Sequence, residues 1–321
     1  MKAVIYERVG SSAQLNIKEV SKPIPKDNQV LVNVHASSVC ITDYQRFKTK
    51  KISFSTKILD IVQGSVGKPL GGEISGIVVA TGKNVNFLSV GDEVFGKTTG
   101  AFPKGGWAEY AVLDSNQIFT KPKTLSFEES AVLPVACETA LGAVKKANIK
   151  AGQQVMIYGA SGGVGQFAVQ FAKAQGAIVT GVCSTRNISM AHSIGCDYVI
   201  DYKKEDFRKT KNKFDSIIGI NGTNPLKEYL KLLTPNGIFV GVGGNQVFVA
   251  SVAQIFSKKI TTYAAPLMSP TGYLNYVKEL AESGKIKPYI DNTYSVYDTS
   301  KAIDYITNCH AQGKIAIKMD F

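Results

Sequence analysis

Histidine is scarce in this chain, at positions 35, 192 and 310 only, and the three are scattered rather than grouped as metal ligands would be. Cysteine is also sparse. Cys40, Cys137, Cys183, Cys196 and Cys309 make an odd number with no C-x-x-C pair, which argues against a disulfide framework or a structural zinc lobe and fits a reducing compartment. No stretch approaches the ~18 consecutive apolar residues of a membrane span. Met1-Lys2 runs straight into Ala3 to Tyr6, without the apolar core of about 7 to 15 residues that a secretory signal carries. A cytoplasmic chain with no integral membrane association is expected. Acidic residues are outnumbered, 25 Asp+Glu against 37 Lys+Arg, for a formal charge of +12. Such an excess attracts phosphates, anionic membranes or nucleic acid. Part of it is local, however: Lys203, Lys204, Arg208, Lys209, Lys211 and Lys213 crowd one segment with few aromatics among them, the pattern of a solvated face, so no nucleic-acid partner is expected. Lys48, Lys50, Lys51 and Lys57 form a weaker cluster of the same kind. Repeats, low-complexity tracts and long linkers are missing too.

Apolar residues make up 44% of the 321, enough for one large α/β unit or two domains. Up to about Asp114 the pattern is of short strands and turns: Ala3 to Tyr6, Leu15 to Val20, Val30 to Ala36, Ile74 to Thr81, Glu93 to Gly96 and Trp107 to Leu113. Helical spacing begins at Phe127 to Val135 and Thr139 to Ala147. Strands then alternate with helices: Val155 to Tyr158, Ile178 to Val182, Tyr198 to Ile200, Phe214 to Ile220, Ile238 to Val242 and Ile260 to Tyr263, with helices at Asn187 to Ile194 and Pro225 to Leu233. That alternation predicts a doubly wound parallel sheet. Helices from Thr271 to Ser283 and Thr299 to Cys309, and strands Tyr294 to Val296 and Lys314 to Lys318, close the chain.

The most informative stretch is Val155 to Ala177. A β-branched apolar run leads into glycines at 159, 162 and 165, then into apolar residues at Val164, Ala168, Phe171 and Ala172 in helical spacing. Strand, glycine turn and helix let backbone N–H groups approach a pyrophosphate without a Cβ in the way. The strand at Ile178 completes a βαβ unit, so a dinucleotide is expected here. NAD selection places Asp or Glu about 20 residues past the glycines, but the sequence there reads Cys183-Ser184-Thr185-Arg186-Asn187. Hydroxyls, an amide and a guanidinium suit a 2′-phosphate, which points to NADPH. The alternative is a surface Arg186 opening a helix that Ser184 caps.

These segments, together with Pro69-Leu70-Gly71-Gly72-Glu73-Ile74-Ser75-Gly76, Gly91-Asp92-Glu93-Val94, Gly105 to Tyr110, Leu133 to Ala140, Asp201-Tyr202 and His310 to Lys314, resemble the medium-chain dehydrogenase/reductase superfamily in its zinc-independent quinone oxidoreductase and enone reductase branch. The resemblance spans nearly the whole chain. It implies an α/β fold with a Rossmann doubly wound domain at 125–264 and a GroES-like β-rich domain at 1–124 and 265–321, and a homodimer. It also implies hydride transfer from NADPH to a small electron-poor substrate, a quinone or the C=C bond of an enone or enal. A 2-enoyl thioester reductase, and an NADPH-binding sensor that binds RNA or membrane, are the rival readings.

Residue by residue, the resemblance assigns to the cofactor Gly159, Ser161, Gly162, Gly163, Val164, Gly165, Ser184, Thr185, Arg186, Tyr202, Asn221, Val242, Gly243, Thr139 and Lys314. Plain alternatives exist: Thr139 as a helix-terminal hydroxyl, Tyr202 as an exposed aromatic, Lys314 as a cation before a strand and the glycines at 241 to 244 as a turn. Val39-Cys40-Ile41-Thr42-Asp43 is similar to the segment that presents a zinc cysteine in zinc-dependent relatives, but Gly72 stands where their Gly-His-Glu motif has its ligand. A catalytic zinc needs three protein ligands, so no metal is expected. Cys40, Asp43 and Tyr44 fall in the region implied to lie beside the nicotinamide, with Tyr44 the nominated proton donor. Phe95, Phe102 and Trp107 are read as walls of an apolar substrate pocket.

Overall fold

A computed structural model describes residues 1–7, 12–40, 43, 67–98, 105–263, 272–308 and 311–321. The chain forms two compact units, the first comprising Met1–Val135, Leu267–Gly284 and Ile290–Phe321, the second Ala136–Pro266 and Lys285–Tyr289.

In the first unit, β1 (Lys2–Tyr6) pairs antiparallel with β2 (Leu15–Glu19). The strands β3 (Gln29–Val39), β4 (Glu73–Thr81), β5 (Glu93–Lys97), β6 (Tyr110–Asp114) and β7 (Ile118–Thr120) pair antiparallel around the long β3, which β4 and β6 flank. Their inward apolar residues, among them Val30, Val32, Ile74, Val78, Val94 and Leu113, form one core cluster. Burying such side chains is the main term holding a β-rich unit together.

The two helices expected over Phe127 to Val135 and Thr139 to Ala147 are α1 (Phe127–Ala131) and α2 (Pro134–Ala147), with the break falling before Pro134 rather than after Val135. Ser126 caps α1 in a reciprocal box with Glu129. Pro134 ends the first run because it lacks an N–H and disfavours helical backbone before it, while its fixed φ suits the first position of α2.

The second unit alternates β8 (Gln154–Tyr158), α3 (Gly165–Ala174), β9 (Ile178–Cys183), α4 (Ile188–Ser193), β10 (Tyr198–Asp201), β11 (Phe214–Ile220), α5 (Leu226–Leu230), β12 (Leu233–Val242), α6 (Gly244–Ala253) and β13 (Ile260–Tyr263). All pairings in this sheet are parallel, in the order β10-β9-β8-β11-β12-β13. This is the doubly wound order, reversing at β8, and it puts the ligand crevice at the carboxyl ends of the strands. β12 begins at Leu233 rather than Ile238, and α5 is correspondingly short, because Phe214 N–H bonds Leu232 O and draws that segment into the sheet. The glycines after β12 open α6, an unanticipated helix.

After α7 (Tyr273–Glu282), the strands β14 (Ile290–Ser295) and β15 (Lys314–Lys318) run parallel, joined by α8 (Thr299–Asn308), and β15 pairs with β3. The C-terminal segment thus completes the sheet begun at Gln29, packing Val296, Ile303, Ile315 and Ile317 with Val4, Tyr6 and Trp107.

Candidate active site

The glycine turn joins β8 to α3 in the second unit, and its three glycines have different reasons to lack a side chain. Gly159 has φ +79°, and a Cβ there would stand 2.8 Å from Ile220 O. A Cβ on Gly165 would collide with Gly159 O, so this glycine lets α3 close onto the turn. Around Gly162 the nearest atom to a Cβ would be Gly159 O at 3.4 Å. The fold tolerates a methyl group at Gly162, and what it leaves open is the space in front of the turn. Ser161 Oγ accepts from Asn187 Nδ2 at 2.7 Å, tying the turn to the tip of β9. Val164 precedes α3 without a side-chain cap, and the first turn of α3 holds no acidic residue. The positive end of a ten-residue helix, reached through a glycine turn, suits a pyrophosphate.

At the tips of β9 and β10 the donors divide. Ser184 is half-buried and Arg186 exposed, whereas the Thr185 hydroxyl donates to Asp201 Oδ2 at 2.6 Å and the Asn187 amide is buried on Ser161. Tyr202 is 42% exposed, with Lys203 Nζ 5.6 Å from its ring centroid. The carboxyl ends of β11 and β12 meet through Asn221 N–H, which donates to Val242 O at 2.9 Å. Asn221 (φ +50°), Gly243 (φ +64°) and Gly244 (φ +66°) are all left-handed. Thr139 is half-buried on α2.

The first unit holds a buried polar cluster. Glu73, fully buried, accepts from Ser38 Oγ, from Val135 N–H at 2.7 Å and from Lys314 Nζ at 2.7 Å. Asp43, also buried, accepts from both Cys40 N–H and Cys40 Sγ at 2.9 Å through one carboxylate oxygen. Burial, then the Asp43 and Glu73 charges, push the Cys40 thiol well above its ordinary range, so it stays protonated and unreactive as a nucleophile. Lys314 is held above its ordinary value by Glu73, with Cys40 and Asp43 adding, although burial opposes this.

This donor set does not fit a catalytic zinc. Gly72 offers no side chain, the Cys40 thiol is protonated and bonded to Asp43, and the Glu73 carboxylate is neutralised by a lysine ammonium.

Tyr44 and Phe102 lie outside the described residues. Phe95 and Trp107, expected to wall a substrate pocket, are fully buried core side chains, Trp107 with its indole N–H on Ser38 O at 3.1 Å. The six-residue basic cluster, Lys203 to Lys213, is exposed as expected. Sequence reasoning missed the Glu73–Lys314 pair, 241 residues apart, and the Thr185–Asp201 bond. Only proximity in the fold exposes either.

A doubly wound nucleotide-type sheet and a β-rich unit in one chain, with a glycine turn and no zinc ligand set among the described residues, define a dinucleotide-dependent oxidoreductase fold. Residues 26–123 match the family described as alcohol dehydrogenase GroES-like domain, and residues 194–317 match the zinc-binding dehydrogenase family. The chain belongs to the medium-chain dehydrogenase/reductase superfamily, in its quinone oxidoreductase and enone reductase branch. It is 32% identical to a 2-methylene-furan-3-one reductase of Solanum lycopersicum over 99% of this chain and 79% of that one. An NADPH-dependent alkenal/one oxidoreductase of Arabidopsis thaliana is 28% identical, over 99% of this chain and 79% of that one. The solved quinone oxidoreductase of Coxiella burnetii superposes with TM-score 0.87 at 27% identity, covering 99% of both chains.

Proposed function

We propose that the chain is an NADPH-dependent, zinc-free oxidoreductase that delivers a hydride to a quinone or to the C=C bond of an α,β-unsaturated ketone or aldehyde. The observation that carries this reading is the glycine turn, closed by Gly159 and Gly165 and open at Gly162, on a chain whose would-be zinc ligands are spent on a buried ion pair and a protonated thiol.

NADPH, when bound, supplies the hydride. Gly162, Gly163, Val164 and Ser161 would receive its pyrophosphate, and Ser184, Arg186 and Tyr202 its 2′-phosphate. Val242, Gly243, Asn221 and Thr139 would orient the nicotinamide end. Holding donor and acceptor in register removes several kcal/mol of barrier, because the entropy of bringing them together is lost on binding rather than in the reaction. With no Lewis-acid ligand set among the described residues to polarise a carbonyl, the acceptor in this reading is already electron-poor. Asp43 and Cys40 serve as positioning groups in this reading, since the thiol is protonated and its carboxylate partner already accepts two bonds through one oxygen. Tyr44 remains the proposed proton donor.

The test is NADPH oxidation at 340 nm with a 1,4-benzoquinone, an ortho-quinone, an enone, an enal and crotonyl-CoA, with NADH alongside. Turnover of quinones or enones with NADPH is expected, and Arg186→Ala should raise the KM for NADPH by about tenfold, the worth of one charge-assisted phosphate contact. Preference for crotonyl-CoA would favour the thioester reductase instead, and NADPH binding without turnover would favour a sensor.

The proposed partner is a second copy of this chain. β13 ends its sheet among the described residues, and α6 packs against it. On and just after α6, Phe248 is 77%, Ile255 75% and Phe256 84% exposed, with Val249 and Val252 about half so. An edge strand beside an apolar helix face is costly to leave in water. Phe248→Glu with Phe256→Glu should convert a dimer to a monomer in size-exclusion chromatography with light scattering, leaving the helix content unchanged. The four described cysteines are buried thiols outside any disulfide, which supports a reducing, cytoplasmic setting in this proposal; no described helix is long and apolar enough to cross a membrane.

A further inference from the structure

An acidic residue stands where a 2′-phosphate is to be bound. Asp201 ends β10, opposite Cys183 at the end of β9, and is 6% exposed. A carboxylate so placed should repel a phosphate dianion. Its oxygens, however, are both engaged: Oδ2 accepts the Thr185 hydroxyl at 2.6 Å and Oδ1 the Lys203 N–H at 3.0 Å. Its carbonyl closes the following turn by accepting from Lys204 N–H at 3.0 Å and Glu205 N–H at 2.9 Å. Tyr202 N–H reaches across to Cys183 O at 3.0 Å. Asp201 therefore ties the Ser184–Arg186 tip of one strand to the Tyr202–Lys203 tip of the next. The loop it anchors lines a cavity of about 490 Å³ with Tyr202, Lys203 and Lys204, together with Glu205 and an Arg208 already paired to Asp206, so the unpaired cationic lining of this loop comes from Lys203 and Lys204.

We propose that Asp201 is the positioning residue for NADPH preference: it aligns Ser184 and Arg186 with Tyr202 and Lys203 so that both strand tips face one 2′-phosphate, and Lys203 is a contact residue of that phosphate. This rests on the NADPH reading above. The Thr185 hydroxyl bond, with the Lys203 amide and the Lys204 charge, holds the Asp201 carboxyl below the usual carboxylate range. It is thus ionised, and its repulsion of the phosphate is outweighed by the lysines and Arg186 that it brings to bear.

The two effects have opposite signs, which makes the test decisive. If Asp201 acted through its charge, Asp201→Ala and Asp201→Asn would both tighten NADPH binding. Positioning requires Asp201→Ala to raise the KM for NADPH about tenfold or more, with kcat and the KM for NADH unchanged. Asp201→Asn, which keeps an acceptor for Thr185, should recover most of the loss. Thr185→Val breaks the same bond from the other side and should move the KM for NADPH in the same direction, which provides the reading if Asp201→Ala does not fold. Lys203→Ala should weaken NADPH and leave NADH alone. Tighter NADPH binding in Asp201→Ala, an equal rise for NADPH and NADH, or no change in either variant would overturn the inference while wild-type NADPH preference stands. A wild-type enzyme that does not prefer NADPH over NADH would overturn the underlying reading and this inference with it.

Discussion

Gly165→Ala is expected to destabilise the second unit by about 3 kcal/mol, because the added methyl group meets the backbone oxygen of Gly159 rather than a side chain that could move aside. Gly162→Ala should leave the unfolding midpoint nearly unchanged, since its methyl group lies 3.4 Å from the nearest atom. The same Gly162→Ala protein should bind NADPH about 100-fold more weakly, a loss of about 2.7 kcal/mol, because the methyl group projects into the space that the pyrophosphate would use. Urea unfolding and NADPH fluorescence titration measure the two quantities separately. Full-affinity NADPH binding by Gly162→Ala would show that the dinucleotide does not approach this turn.

Lys314→Met is the second large effect. It leaves the Glu73 carboxylate, fully buried, with the Ser38 hydroxyl and the Val135 amide as donors and no balancing cation, and should cost about 3 to 5 kcal/mol in urea unfolding at pH 7. Adding Glu73→Gln should recover more than half of that loss, because it removes the uncompensated charge. A buried pair is expensive to break from one side and much cheaper to replace from both. The pair also predicts a pH dependence. Lys314 has its folded-state pKa raised above the ordinary 10.5, so its contribution is fully present below that value and is lost as pH rises through the folded value. Wild-type stability should therefore fall more steeply in strong alkali than that of the double variant. Equal stability of wild type and Lys314→Met would refute the assignment.

Some parts of this molecule were legible in the chain. The boundaries of β11, β13 and β15 were anticipated to the residue, because each is a short run of apolar or β-branched residues bounded by polar or glycine breaks. The glycine turn was legible because its reasons are local: a left-handed φ at Gly159 and a helix closing onto the strand at Gly165. Other parts were not. α6 carries Val247, Phe248, Val249 and Val252 with little polar alternation, so no amphipathic period marks it as a helix. Trp107 reads in the chain as a pocket wall, and only tertiary packing, with Val4, Tyr6 and Leu70 and with the returning C-terminal segment, makes it core.

The donor-rich tip of β9 marks the border between the two kinds of knowledge. Composition alone identified Ser184, Thr185, Arg186 and Asn187 as a polar cluster without a carboxylate. The fold then committed Thr185 to Asp201 and Asn187 to Ser161, and brought Lys203 from the neighbouring strand to the same end of the sheet. Likewise the missing histidine at Gly72 was visible in the chain, but the lysine that neutralises Glu73 lies 241 residues away. What the sequence determined by itself was the order of strands, turns and helices, and with it the nucleotide-type sheet, since these follow from local propensity and periodicity. Tertiary structure alone decided which polar groups were already paired, because hydrogen bonds and buried charges depend on distances that only folding sets.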